Sequence, residues 1–220
     1  MNITLPLILT LKVAGIATLG AFLCGVLPAW LLNRYTFPGR DLAEVVMTLP
    51  LVLPPTVLGY YLLVLVGRKG IIGPWLHSTF GVTLIFTWQG AVLAAMVVSL
   101  PLIFKSAGAA FAAINRQCEE AAATLGASGF TIFLRVSLPL AWRGVLAGSM
   151  LAFARAMGEF GATLMVAGNL PGRTQTLSMA VYDAVQAGEY SQANWLVLII
   201  TLVSTVILYG SGKLLQTSWH

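Results

Sequence analysis

Charge is what this sequence has least of: Asp, Glu, Lys and Arg together make up 9% of its 220 residues. A water-soluble domain carries about 25%. With hydrophobic residues at 58% and a mean hydropathy of +0.89, too little polar side chain exists to cover a globule in water. Lipid is the solvent this composition fits. Cysteine and histidine are scarcer still, two of each. Cys24 lies in an apolar run and Cys118 in a polar stretch, so no disulfide is expected, and neither belongs to a metal-ligand cluster. His77 and His220 stand alone. No G-x-x-x-x-G-K-[ST] run is present, so a phosphate-cradling loop for ATP has to come from another chain. The apolar runs hold no nucleophile–base pair and no paired carboxylates, which argues against a lipid-handling enzyme.

The net charge of +5 does not indicate nucleic acid, because the Lys and Arg residues are scattered singly and no aromatic-interleaved basic patch forms. Basic loops facing an anionic leaflet account for it better. The N-terminus lacks a basic n-region and an A-x-A site, and Ala21, Phe22 and Leu23 put bulk where a lipoprotein cleavage site before Cys24 needs small residues. The segment reads as a retained helix.

A transmembrane helix needs about 20 apolar residues to cross a hydrocarbon core of roughly 30 Å. Five stretches qualify: Leu5–Leu32, Leu42–Val66, Val82–Phe104, Trp142–Ala167 and Trp195–Leu215. Turn chemistry separates them, at Pro38-Gly39, at Gly70, Gly73 and Pro74, and at Pro171-Gly172. The expectation is therefore an all-α integral membrane protein with about five spans and one domain covering residues 1–220. An outside N-terminus gives the inner side seven basic residues (Arg34, Arg40, Lys105, Arg116, Arg135, Arg143, Lys213) against three outside (Arg68, Lys69, Arg173). That bias favours N-out and C-in. Lys12 is expected to snorkel outward, and Trp195 and Trp219 to flank the last span as interfacial anchors. Small residues recur every fourth position at Ala17, Ala21 and Gly25, and at Gly144, Gly148, Ala152 and Ala156. Such stripes let helices approach closely, within one subunit or at a subunit interface or pore wall.

The inner segment between the third and fourth spans, about 105–141, is long and polar. Glu119 and Glu120 open a strongly helix-forming run, where carboxylates suit the positive end of the dipole. Gly126 stands where a left-handed residue would end that helix. Ser128 is placed to cap a second amphipathic stretch, which Pro139 is expected to end.

Glu120-Ala121-Ala122, then Gly126, then Leu138-Pro139 resembles the EAA loop of ABC importer permeases (E-A-A-x3-G-x9-I-x-L-P), with Val136 in place of the Ile. The resemblance implies a type I permease fold whose paired coupling helices dock on a cytoplasmic ATPase, with Glu119, Glu120, Ala121, Ala122, Gly126, Leu138 and Pro139 as the coupling residues. It also implies two copies of that ATP-binding subunit, which hold ATP and Mg, a second copy of this chain with the path at the interface, and a periplasmic binding protein. No cofactor is expected in this chain. Two further stretches narrow the family. Phe153–Thr163 resembles a signature shared by permeases for molybdate and sulfate. Leu49–Tyr60 and the compact Gly67–Gly73 look like molybdate permeases in particular. The implied cargo is molybdate; tungstate, nearly identical in size and charge, and sulfate or thiosulfate are the alternatives. A passive anion channel is a more distant one, which the EAA loop disfavours.

Ionisable side chains inside a span are costly and rare. Arg155 and Glu159, four residues apart, share a helical face and can pair. Two readings stay open: mutual neutralisation that locks the helix, or an Arg155 that biases a path toward anions while Glu159 holds it. Pro50, Pro54 and Pro55 remove backbone donors and interrupt the second span. Broken helices at membrane depth are tolerated in protein or beside a cavity. Thr48–Tyr60, with Thr56, is thus expected near the translocation path, a packing kink being the alternative.

Overall fold

A computed structural model describes residues 3–216, and every regular element among them is a helix. The first, α1 (Thr4–Arg34), runs for 31 residues through Pro28 without breaking. Next come α2 (Arg40–Val52), α3 (Pro55–Val66), α4 (Gly73–Phe80) and α5 (Trp88–Ala112). Then follow α6 (Arg116–Thr124), α7 (Gly129–Ile132), a π-helical turn (Phe133–Ser137) and α8 (Leu138–Met157). The chain closes with α9 (Gly161–Ala167), α10 (Leu177–Gln186) and α11 (Tyr190–Gln216). Among the described residues four helical stretches are long and apolar enough to cross a membrane, or five where the sharply bent pair of α2 and α3 is counted as one span.

The centre of the bundle is α1, α5 and α8, packed through their small residues. Ala14, Ala17, Ala21 and Gly25 of α1 are buried, as are Ala91, Ala94 and Ala95 of α5 and Gly148 and Ala152 of α8. A Cβ added at Gly144 would stand 2.5 Å from the Cβ of Ala110, and one at Gly148 2.5 Å from the Cβ of Ser106. Close approach matters here because lipid supplies no hydrophobic drive for helix association; contact and dispersion do the work. The small-residue stripes therefore serve packing inside the subunit. Larger apolar groups, among them Trp30, Phe104, Phe111 and Phe133, fill the end of the bundle where α1 finishes.

At the other end α10 closes over the start of α1, where the Leu177 N–H donates to Thr10 Oγ1 at 2.8 Å. Here the Lys12 ammonium, on an exposed residue, lies 3.6 Å from the centroid of the ring of Trp88, the first residue of α5, in a cation–π contact. Trp195 stands exposed near the start of α11, whereas Trp219 and His220 fall outside the described residues.

Five expectations need correction. The second span is interrupted, as its prolines lead one to expect, α2 and α3 meeting at a bend of 118°, but not at Pro50. Pro50 does not cause it, for it sits inside α2. The break falls at Leu53 and Pro54, each of which precedes a proline and is held in the extended region at ψ 138° and 137°. The ring of a following proline disfavours the helical region for both. The third span begins at Trp88, not Val82. Thr87 caps it, its hydroxyl accepting from the Gly90 N–H at 3.2 Å.

The fourth span is displaced toward the N-terminus. Helical structure is continuous from Gly129 to Met157, then breaks at Gly158–Phe160 before α9. Pro139 does not end the second amphipathic stretch, because a π turn precedes it and leaves it in the first turn of α8. The Leu138 N–H reaches back five residues to Phe133 O, and Pro139 then occupies the first turn of α8, where a missing N–H costs nothing. Finally, the linkers expected at 67–81 and 168–194 contain α4 and α10. Leu177 and Met179 of α10 are fully buried, but at 10 residues the helix is too short to be a span.

Candidate functional site

The two-helix loop at the end of the bundle carries the most sequence information, and its local chemistry is that of a rigid knob. Asn115 caps α6, its Oδ1 accepting from the Gln117 N–H at 3.0 Å. Gly126 terminates it with φ of +82°, a conformation in which a Cβ is strained. The Gly126 N–H bonds to Ala123 O at 3.0 Å and the Ala127 N–H to Ala122 O at 3.1 Å, the paired closure that satisfies a helix's last carbonyls. Two residues on, Ser128 caps α7, accepting from the Thr131 N–H at 3.3 Å. Both expected end signals, Gly126 and Ser128, thus stand where the residues placed them.

The residues expected to couple to an ATPase do not share one surface. Glu120, Ala121 and Pro139 are exposed, and Ala122 is half-buried. Leu138 packs into the core beside Trp30 and Phe133. Glu119 turns inward. Its Oε2 accepts from Arg34 Nη1 at 3.0 Å, and its Oε1 from Trp30 Nε1 at 3.3 Å and from the Ser137 hydroxyl. Trp30 Nε1 also donates to Ser137 Oγ at 3.0 Å, closing a ring of contacts between α1, α6 and the π turn. Sequence reasoning missed Trp30 and Ser137 and counted Arg34 only as an inner charge; residues so far apart in the chain carry no local signal of their meeting. It also passed over Leu125 and Phe130, which are 88% and 64% exposed at the tip of the knob. Exposed apolar side chains flanking polar helices indicate a contact surface.

A second constellation forms where α8 gives way to α9. Arg155 Nη1 and Glu159 Oε2 lie 2.7 Å apart, with the arginine side chain 36% exposed and the carboxylate 2%. The pair is present, but not on one helix face, since Glu159 stands beyond the end of α8 in the Gly158–Phe160 break. Its Oε1 accepts from the Ala162 N–H at 2.8 Å, so one carboxylate both neutralises Arg155 and caps α9. The start of α3 meets this break: a Cβ at Gly161 would be 3.1 Å from the Cβ of Pro55 and 3.4 Å from the Cγ2 of Thr56. Two interrupted helices thus cross, bringing Pro55 and Thr56 beside the Glu159 region. Pro54 is exposed at the α3 start, and Pro50 stays within α2.

A continuous helical path from a capped knob into a broken-helix bundle is the architecture of an importer's membrane subunit. The chain belongs to the family of binding-protein-dependent transport system inner membrane components, whose model matches residues 21–217. A chain of this family is a multi-pass component of the inner membrane. It is 45% identical to the molybdenum transport system permease protein ModB of Escherichia coli K12, over 91% of this chain and 89% of that protein. To ModB of Haemophilus influenzae it is 43% identical, over 94% and 93%. A sulfate transport system permease protein, CysT of Escherichia coli, is 34% identical over 93% of this chain and 74% of its own length.

Solved structures of the same fold include the inward-facing MetNI methionine ABC transporter, with a TM-score of 0.68 at 18% identity, covering 95% of this chain and 92% of that one. Another is the bacterial alginate ABC transporter in complex with a pentasaccharide-bound periplasmic protein, with a TM-score of 0.71 at 19% identity, over 97% and 78%.

Proposed function

We propose that this chain moves molybdate inward across the bacterial inner membrane by alternating access, paired with a second copy of itself. The observation that carries the cargo is the 45% identity to a molybdenum permease along nine-tenths of the chain. In this reading two cytoplasmic ATPase subunits bind ATP and Mg and grip the α6–α7 knob of each membrane subunit. Glu120, Ala121, Ala122, Leu125 and Phe130 meet the ATPase, while Gly126 and Ser128 keep the two helices at a fixed angle. A periplasmic binding protein delivers the anion to the opposite face. The basic bias of the loops puts the N-terminus in the periplasm and the knob and C-terminus in the cytoplasm.

The path runs along the crossing of α3 and the α8–α9 break, where Pro54, Pro55 and Thr56 approach Arg155 and Glu159. Pro50, inside α2, lies one turn before the bend between α2 and α3. Arg155, paired and partly open, favours an anion without holding it: full neutralisation by Glu159 prevents a dianion from being trapped. The sulfate permease among the relatives supports sulfate as a second reading, and tungstate shares the size and charge of molybdate.

Proteoliposomes holding this chain, its ATPase and the binding protein test the proposal. Molybdate uptake is expected to require ATP, to be competed by tungstate and to resist excess sulfate. Uptake without nucleotide would return the protein to the channel class; competition by sulfate would move it to the sulfate importers.

A further inference from the structure

Of the two adjacent glutamates in the knob, Glu120 faces out and Glu119 faces in, and Glu119 is bound more completely than any other side chain of α6. Three donors converge on its carboxylate: Trp30 and Arg34 from the last two turns of α1, and Ser137 from the π turn that leads into α8. Arg34 is held in turn over the aromatic rings of Trp30 and Tyr35, its guanidinium carbon 5.2 and 5.7 Å from their centroids. Trp30 packs against Phe133 of the π turn with ring centroids 5.1 Å apart. No residue of α6 is buried, so apolar packing gives the bundle little grip on this helix. The directional, charge-assisted bonds to Glu119 supply that grip.

The elements so joined are not arbitrary. Both α1 and α8 pack on α5 in the centre of the bundle, and α8 ends at Met157 beside the Arg155–Glu159 break. A displacement of α6 is therefore delivered to two spans at once, one of them leading to the second constellation. A cavity of about 380 Å³ opens beside the joint, lined by Arg34, Tyr35, Arg40, Arg116 and Glu120 among others.

We infer that Glu119, through Trp30, Arg34 and Ser137, is the joint that carries movement of α6 into α1 and α8, so that its loss separates ATP hydrolysis from transport. Glu119 is thus a positioning residue, not a docking contact. The inference rests on the reading of α6 as the ATPase-docking helix.

The test uses the whole importer in proteoliposomes, with molybdate uptake and phosphate release measured on the same vesicles. Glu119→Gln is expected to retain the ATPase through purification and to hydrolyse ATP, while uptake per ATP falls about tenfold. Trp30→Phe, which keeps a smaller aromatic ring and removes the N–H, and Ser137→Ala are expected to lower the same ratio by less. An unchanged ratio in all three variants overturns the inference. So does loss of the ATPase from Glu119→Gln with uptake and hydrolysis falling in proportion, which would make it a docking residue. Should Glu119→Gln fail to accumulate, Trp30→Phe and Ser137→Ala decide, and an unchanged ratio in both refutes the joint. Ala121→Arg separates the underlying reading: if the ATPase stays bound, docking on α6 is wrong. If it is released while the ratio survives in the three variants, only the joint is wrong.

Discussion

At the scale of single residues, burial divides the Arg155–Glu159 pair unequally. Removing the arginine leaves a carboxylate that is 2% exposed with one remaining donor, the Ala162 N–H. Removing the glutamate leaves an arginine side chain that is 36% exposed. Arg155→Met is therefore expected to destabilise the purified subunit by about 3 kcal/mol. Glu159→Ala is expected to cost about 1–2 kcal/mol, mostly the lost cap of α9. Thermal unfolding in detergent ranks the two, and the reverse order would show that the cap outweighs the charge. Arg155→Gln, which keeps a donor for Glu159, is expected to assemble and lose uptake; failed assembly instead would assign the pair to packing alone.

Individual residues were unevenly legible. Gly126 and Ser128 announced themselves because a left-handed cap and an N-cap are local chemistry. The opposite orientations of Glu119 and Glu120 were not, since nothing in a helix of mixed polarity says which face meets a tryptophan 89 positions away.

Among elements, the small-residue faces decide how near the spans come. Gly148→Val would drive side chain into Ser106, whose Cβ already lies 2.5 Å from where a Cβ at 148 would stand. Overpacking of this kind costs about 1–3 kcal/mol. The variant is expected to lower the melting temperature of the subunit, whereas the same change at Gly210, which has open space around it, leaves it unmoved. Element existence was legible wherever an apolar run was long. Element ends were not, for two physical reasons. Consecutive prolines at 54 and 55 act on the residues before them, which placed the bend later than Pro50 suggested. A π turn lets a helix pass a proline that would ordinarily stop it, so Pro139 read as an end lies inside a continuous stretch. Helix α10 went unseen because its burial comes from tertiary contact with α1 and α11 rather than from apolar length.

For the whole molecule, sidedness is the claim that joins fold to function. Cys118, exposed in α6, and Lys69, exposed in the loop after α3, belong to opposite faces of the membrane in the proposed orientation. A membrane-impermeant maleimide applied to spheroplasts is expected to spare Cys118 and to label Lys69→Cys. Labelling of Cys118 from outside would invert the topology and remove the knob from the ATPase.

The five-residue π turn at Phe133–Ser137 fixes more than the passage of Pro139. A π turn holds one residue more than the regular helix would need, and each residue of an α-helix turns it by about 100°. Everything before the turn, the knob included, is thus clocked by that surplus residue relative to everything after it. Deleting one position between 133 and 137 would leave a regular helix of sound composition, yet point Leu125 and Phe130 in another compass direction. The length of this short stretch is accordingly a dial setting, and its residue number matters apart from the side chains it carries.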